Sequence, residues 1–144
     1  MKSENRMVMA HVPLPIRLID RVNVLISDPG SQLGHALADS FQRAGAQLTD
    51  RDVDVLVNVA DPKADYREAF EADFFKPFEL MQSVLPGMIA RRSGTIISVC
   101  SKTPSKAALE GMSRSARIEL RRHGVRVLIV PAETDAASIV AMAA

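Results

Sequence analysis

Four short apolar runs, each closed by a turn residue and separated by helix-like stretches, constrain this chain more than any other feature. Val22 to Ser27 (VNVLIS), Val53 to Ala60 (VDVLVNVA), Thr95 to Cys100 (TIISVC) and Val125 to Val130 (VRVLIV) are rich in β-branched residues. They are nearly continuous in apolarity, as strands buried on both faces are. After the first comes Asp28-Pro29-Gly30, then Leu33, Leu37 and Phe41 at four-residue spacing, one face of a helix that stops near Gly45. After the second, Asp61-Pro62 ends the run, and Phe70, Phe74, Phe78, Met81, Leu85 and Met88 form an apolar helical stripe. The spacing assigns that stripe to the core, and Pro77 and Pro86 are expected to kink or end the helix. After the third, Ala108, Met112, Ala116 and Leu120 mark a helix from Ser105 to His123, with Gly124 at its stop. Pro131 closes the fourth run, and the Ala-rich tail from Asp135 to Ala144 can add a short helix.

Strands alternating with helices predict an α/β fold, a Rossmann-like three-layer sandwich with a reduced, mostly parallel sheet. Ligands of such sheets bind beyond the strand C-termini. Those edges are Ser27 to Gly34, Asn58 to Asp61, Ser98 to Lys106 and Pro131 to Thr134. At 144 residues, 47% of them hydrophobic, one core is expected over 21–144, preceded by a flexible lead-in over 1–20.

Charge and cysteine usage exclude several function classes. A net charge of +1 supplies no field toward nucleic acid, and Glu110 and Glu119 interrupt the arginines between 114 and 126. No apolar run reaches the roughly 20 residues that span a bilayer. The single cysteine, Cys100, and three scattered histidines offer neither a disulfide nor a metal-ligand spacing. The expected partners therefore include no nucleic acid, membrane or metal, and the expected location is the cytoplasm.

Four segments resemble the short-chain dehydrogenase/reductase family. DFFKPFELMQSVLPGMIARRSGTIISVCS is similar to the family's helix and strand ending in the catalytic serine. SKAALEGMSRSARIELRRHGVRV is similar to its next helix and strand, and these two matches are the specific ones. DVDVLVNVA resembles the strand carrying the NNAG motif, and VLISDPGSQLGHALADSFQRAGA resembles the cofactor-binding strand–turn–helix. The resemblance implies a carbonyl–alcohol oxidoreductase using NAD or NADP. The implied catalytic positions are Ser101 for the carbonyl-polarising serine, Lys106 for the lysine of YxxxK, and Asp73 where the family has asparagine. The implied cofactor positions are Ser27, Gly30, Gly34, Asn58 and Lys106.

The motifs also depart from the family. In its TGxxxGxG turn, Asp28 replaces the first glycine and Gln32 the second, while Gly34 keeps the third. The glycine of NNAG is Asp61. Lys102 stands at the tyrosine position, and the only tyrosine, Tyr66, lies on another segment. Hydride transfer to a carbonyl needs a proton donor, so impaired catalysis is expected, and cofactor binding and its loss both stay open. Asn58 reads equally as a strand-end residue capping a loop. Gln47 to Asp52 replace a longer family segment, which makes the first strand a sheet edge unless Gln47–Thr49 gives a stub of cover. The alternative to a depleted oxidoreductase is a non-catalytic relative acting as a dimeric binding or assembly module. The family's pairing helices correspond to residues 70–92 and 105–123, so a homodimer or homo-oligomer through them is expected.

Overall fold

A computed structural model describes residues 19–144; the expected lead-in over 1–20 lies almost wholly outside the described residues. Five strands form one sheet in the order β2-β1-β3-β4-β5, and every neighbouring pair is parallel. They are β1 (Asn23–Ile26), β2 (Gln47–Leu48), β3 (Val55–Asn58), β4 (Gly94–Cys100) and β5 (Val125–Pro131). The helices are α1 (Gln32–Arg43), α2 (Tyr66–Phe70), α3 (Lys76–Arg91), α4 (Pro104–Leu120) and α5 (Ala136–Ala143).

Strand alternation divides the core into two layers. Val55, Val57, Ile97 and Val99 point to one face, where Leu37 and Phe41 of α1 and Ile139 and Val140 of α5 cover them. Leu56 and Ile96 point to the other, against Met81, Val84 and Met88 of α3 and Leu120 of α4. The protein is thus a three-layer α/β sandwich of the Rossmann type. The two-residue β2 pairs Gln47 with Asn23 and Leu48 with Val24, so a stub of cover does flank β1.

Of the expected apolar stripe, Met81 and Met88 are buried, Phe70, Phe74 and Leu85 are half-buried, and Phe78 is exposed. A single π turn, Glu71–Phe75, joins α2 to α3. Its wider winding adds a residue and rotates the helix beyond it, so Asp73, Pro77, Met81, Val84 and Met88 take the buried face. Phe75 and Phe78 are exposed, and Phe74 stacks on Phe78 with ring centroids 6.3 Å apart. Nor do the prolines end the helix. Pro77 lies just after the π turn, and the helix runs on through it to Arg91. Pro86 lies inside α3, but it and Gln82 are both exposed, so water can satisfy the carbonyl that proline leaves without a donor. After α4 a 3₁₀ turn, Arg121–His123, ends at Gly124 with φ 79°. A Cβ there would lie 2.3 Å from the Arg92 carbonyl oxygen, so only glycine suits the turn.

Candidate functional site

The parallel sheet carries the ends of β1, β3, β4 and β5 to one edge, as the sequence order requires. A crevice of about 470 Å³ opens there, lined among others by Gln32, Val59, Asp61, Lys106, Ala132 and Asp135. Its floor is the β1–α1 turn. Ser31 caps α1: its hydroxyl accepts from the Gly34 amide at 3.0 Å and donates to the Asp28 carbonyl at 2.8 Å. This tight cap is why Gly34 is glycine. A Cβ at Gly34 would stand 2.1 Å from the Asp28 carbonyl oxygen and 2.7 Å from Ser31 Oγ. Gly30 is different. It is exposed, its φ is not left-handed, and its nearest neighbour would be Asp28 Oδ1 at 3.7 Å.

Ser27 faces inward. Its hydroxyl donates to the Val59 carbonyl at 2.8 Å and accepts from the Val59 amide at 2.9 Å, which ties the end of β1 to the end of β3. Just beyond Val59, the Asp61 carboxylate accepts from the Gln32 amide through both oxygens, at 2.9 and 3.1 Å. Gln32 is the first residue of α1. Its amide is one of the free donors with which a helix N-terminus receives phosphate.

Lys106 is 7% exposed, and its ammonium donates to the Ala60 carbonyl at 3.0 Å. The preceding residue, Ser105, donates to Asp73 Oδ2 at 2.7 Å. The π turn places Asp73 there, buried on the inner side of its helix. Asn58 is fully buried beside Ser98, and neither of its amide atoms has a hydrogen-bond partner; nor has Asp73 Oδ1. Such orphaned buried polar groups concentrate at functional sites and at buried water positions. Ser98 is held instead by Ser113, which donates to it at 2.8 Å.

Ser101 does not join Lys106 in the crevice. It lines a separate concavity with Cys100, Lys102, Glu110 and Arg114, and its Oγ lies 3.5 Å from Thr103 Oγ1. Burial, reinforced by Glu110, pushes the Cys100 thiol up to about 11, which suits packing and not nucleophilic attack. Tyr66, 66% exposed, lies on α2 beneath the Arg67 guanidinium. Among the described residues no group of three or more metal-ligating side chains forms, and no helix is long and apolar enough to cross a membrane. The arginines of α4 are engaged locally, Arg114 with Glu110 and Arg117 with the Val127 carbonyl.

The strand-end pattern names Gly34, Asn58 and Lys106 and the family resemblance adds Asp73, but neither finds three contacts. The Ser31 cap is findable, since serine just before an apolar helical period is an N-cap signal. The Asp61–Gln32 pairing and the Ser105–Asp73 bond join distant segments and leave no local trace. A nicotinamide dinucleotide bound in the usual Rossmann manner sets its pyrophosphate against the α1 N-terminus. The residues here do not fit that group, because a carboxylate already occupies the first amide of α1.

Comparison with known proteins places the chain. The family of short chain dehydrogenases matches residues 31–141. Oxidoreductase claN of Passalora fulva is 30% identical over 128 residues, covering 73% of this chain and 56% of that protein. Short-chain dehydrogenase PC-15 of Penicillium crustosum is 41% identical over 76 residues, 44% of this chain and 28% of its own length. The chain therefore spans little more than half of the first of these relatives and under a third of the second. Among solved structures, a metagenomic short-chain oxidoreductase in complex with NADP superposes with a TM-score of 0.66 at 20% identity, over 88% of this chain and 90% of that one. An oxidoreductase from Brucella ovis gives 0.64 at 18% identity, over 85% and 91%. These structures share its fold, and with a family match running from the cap of α1 into α5, this chain belongs to the short-chain dehydrogenase family.

Proposed function

We propose that this chain descends from NAD(P)-dependent carbonyl–alcohol oxidoreductases, that its catalysis is impaired, and that it acts as a dimeric binding or assembly module. One observation carries the reading. The tyrosine that in the family partners the lysine is missing beside Lys106, whose ammonium donates to the Ala60 carbonyl, and the only tyrosine is exposed on α2. Reduction of a carbonyl needs a proton delivered to the developing alkoxide, and a positioned acid contributes about 10²–10⁴-fold. Lys102 is exposed, and it and Ser101 line a different concavity from the crevice that Lys106 lines. The strand β2 is only two residues long, which leaves exposed Asp50 and Arg51 just beyond it as the residues that could choose between NAD and NADP.

The exposed aromatics on the helices support the second half of the proposal. Phe75 and Phe78 lie open beside the π turn, and Ile118 on α4 is 77% exposed. These are large apolar side chains on the two helices through which the family dimerises, and covering them favours association. The single reduced-type cysteine is in keeping with a cytoplasmic setting.

The test is a turnover assay with NADH and NADPH against a panel of aldehydes and ketones, run beside light scattering at tens of micromolar. The expected kcat is below about 0.1 s⁻¹, two orders under the usual median, with a dimer mass. A kcat above about 1 s⁻¹ with any carbonyl refutes impaired catalysis. A monomer refutes the module.

A further inference from the structure

The crevice at the sheet edge is bounded by two helix N-termini, and each already holds one of the chain's own carboxylates. Asp61 accepts from the first amide of α1 through both oxygens. Asp135, which also lines the crevice, caps α5 and accepts from the Ser138 amide at 2.7 Å. The α1 N-terminus is the position where a Rossmann sheet offers unpaired amides to a ligand's phosphates. Lys106, the cation on the crevice wall, is turned to a carbonyl.

We infer that Asp61 is a built-in substitute for phosphate, a clasp that closes the α1 N-terminus to dinucleotides and stabilises the β1–α1 turn in their place. The local sequence makes the clasp. Ser27 fastens the end of β1 to Val59, which fixes where the chain leaves β3. Pro62 disfavours helical backbone at Asp61, so the chain leaves β3 extended and carries Asp61 across to Gln32. A carboxylate there satisfies the amide and the positive end of the helix dipole together. An arriving pyrophosphate must displace both hydrogen bonds and then remain beside the expelled negative charge. Nearby Asp28 adds another carboxylate at the turn, half-buried in the position of a family glycine. The effect is specific to anions and leaves the crevice walls intact.

This inference deepens the proposed loss of catalysis, but it stands on a different contact and fails separately. Titration calorimetry of the full chain with NADPH, NADH and ADP compares the native protein with Asp61→Asn and Asp61→Gly. Asparagine keeps one acceptor without the charge, and glycine opens the position altogether. The variants are expected to bind at least one of the three ligands about tenfold more tightly than the native chain, which should show no saturation near 1 mM. In parallel, the Gln32 amide should exchange with solvent about tenfold faster in Asp61→Gly than in the native chain, a readout that needs no ligand. A ratio of affinities below ten, including no binding by any of the three proteins, overturns the inference, as does unchanged exchange at Gln32. Tight dinucleotide binding by the native chain without turnover would sink the clasp and leave impaired catalysis standing. Turnover by the native chain, with still tighter binding by Asp61→Asn, would do the reverse.

Discussion

Replacing Gly34 with alanine should destabilise the protein markedly, although alanine is the better helix former. The added methyl would stand 2.1 Å from the Asp28 carbonyl oxygen and 2.7 Å from Ser31 Oγ, far inside contact distance. Something must move by about 1 Å, and both neighbours are fixed. The Asp28 carbonyl accepts from the Ser31 amide at 3.1 Å and from its hydroxyl at 2.8 Å, and that hydroxyl accepts from the Gly34 amide. Overpacking of this kind costs about 1–3 kcal/mol, and loss of the serine cap adds about 1 kcal/mol. Alanine returns about 1 kcal/mol of helix propensity. A net loss of about 1–3 kcal/mol lowers Tm by roughly 3–10 °C for a domain of this size. Two further glycines supply controls. Gly30→Ala meets nothing closer than 3.7 Å, and Gly111→Ala, within α4, meets nothing within 4 Å. Both should be neutral or stabilising by up to about 1 kcal/mol. Calorimetry on the three variants decides it. If Gly34→Ala melts within 1 °C of the native protein (about 0.3 kcal/mol), or above it, the β1–α1 turn is not rigid and the reasoning fails.

Other perturbations test other parts of the structure. Because burial raises the Cys100 thiol from 9.0 to about 11, its alkylation by iodoacetamide at pH 8 should run about 100-fold slower than in the unfolded chain. Its pH–rate profile should still be rising at pH 10, and a plateau near pH 9 would contradict the burial argument. The Ser138 hydrogen bonds hold Asp135 below the usual carboxylate range, so its contribution to docking α5 is complete above that range and is lost as pH falls through the lowered value. Protection of the α5 amides from hydrogen exchange, relative to the intrinsic rate at each pH, should therefore fall as pH drops through the carboxylate range, and Asp135→Ala should abolish that step; an identical profile in the variant would refute the linkage. Charging the exposed apolar side chains in a Phe78→Glu/Ile118→Glu variant should convert the dimer to monomer by light scattering without lowering Tm, whereas a persisting dimer would place the interface elsewhere.

The strands were legible because a parallel sheet buried on both sides writes itself as uninterrupted β-branched runs. Helix α4 was legible because its apolar spacing holds from Ala108 to Leu120 and Gly124 stops it. Periodicity misleads where one residue changes the phase. The π turn at Glu71–Phe75 rotates the helix, so a four-residue phenylalanine period with the spacing of core comes out half-buried at Phe70 and Phe74 and exposed at Phe78. Pro86 misleads for a different reason. Whether a helix survives a proline depends on whether water reaches the freed carbonyl, and that is set by the helix's orientation. At the sheet edge, the family resemblance located Lys106, Asp73 and Asn58 but could not say what each touches. Lys106 meets a backbone carbonyl, and the partner of the α1 amide, Asp61, arrives from the far end of another strand. Side chains that act through long-range contacts leave no periodicity to read.

The all-parallel sheet has a consequence for how fast this chain can assemble. Among the described residues no ladder is a hairpin. The nearest pairing in sequence, Asn23 with Gln47, already encloses the whole of α1, and Val24 with Val55 encloses more. Each strand pair must wait for a loop of that size to close before any hydrogen bond rewards it, which makes parallel sheets slow to form. The β1–β3 pairing is fastened by Ser27 and Val59 at the strand ends. Removing that hydroxyl should therefore be felt more in the refolding rate than its one residue would suggest, if the fastening forms in the transition state.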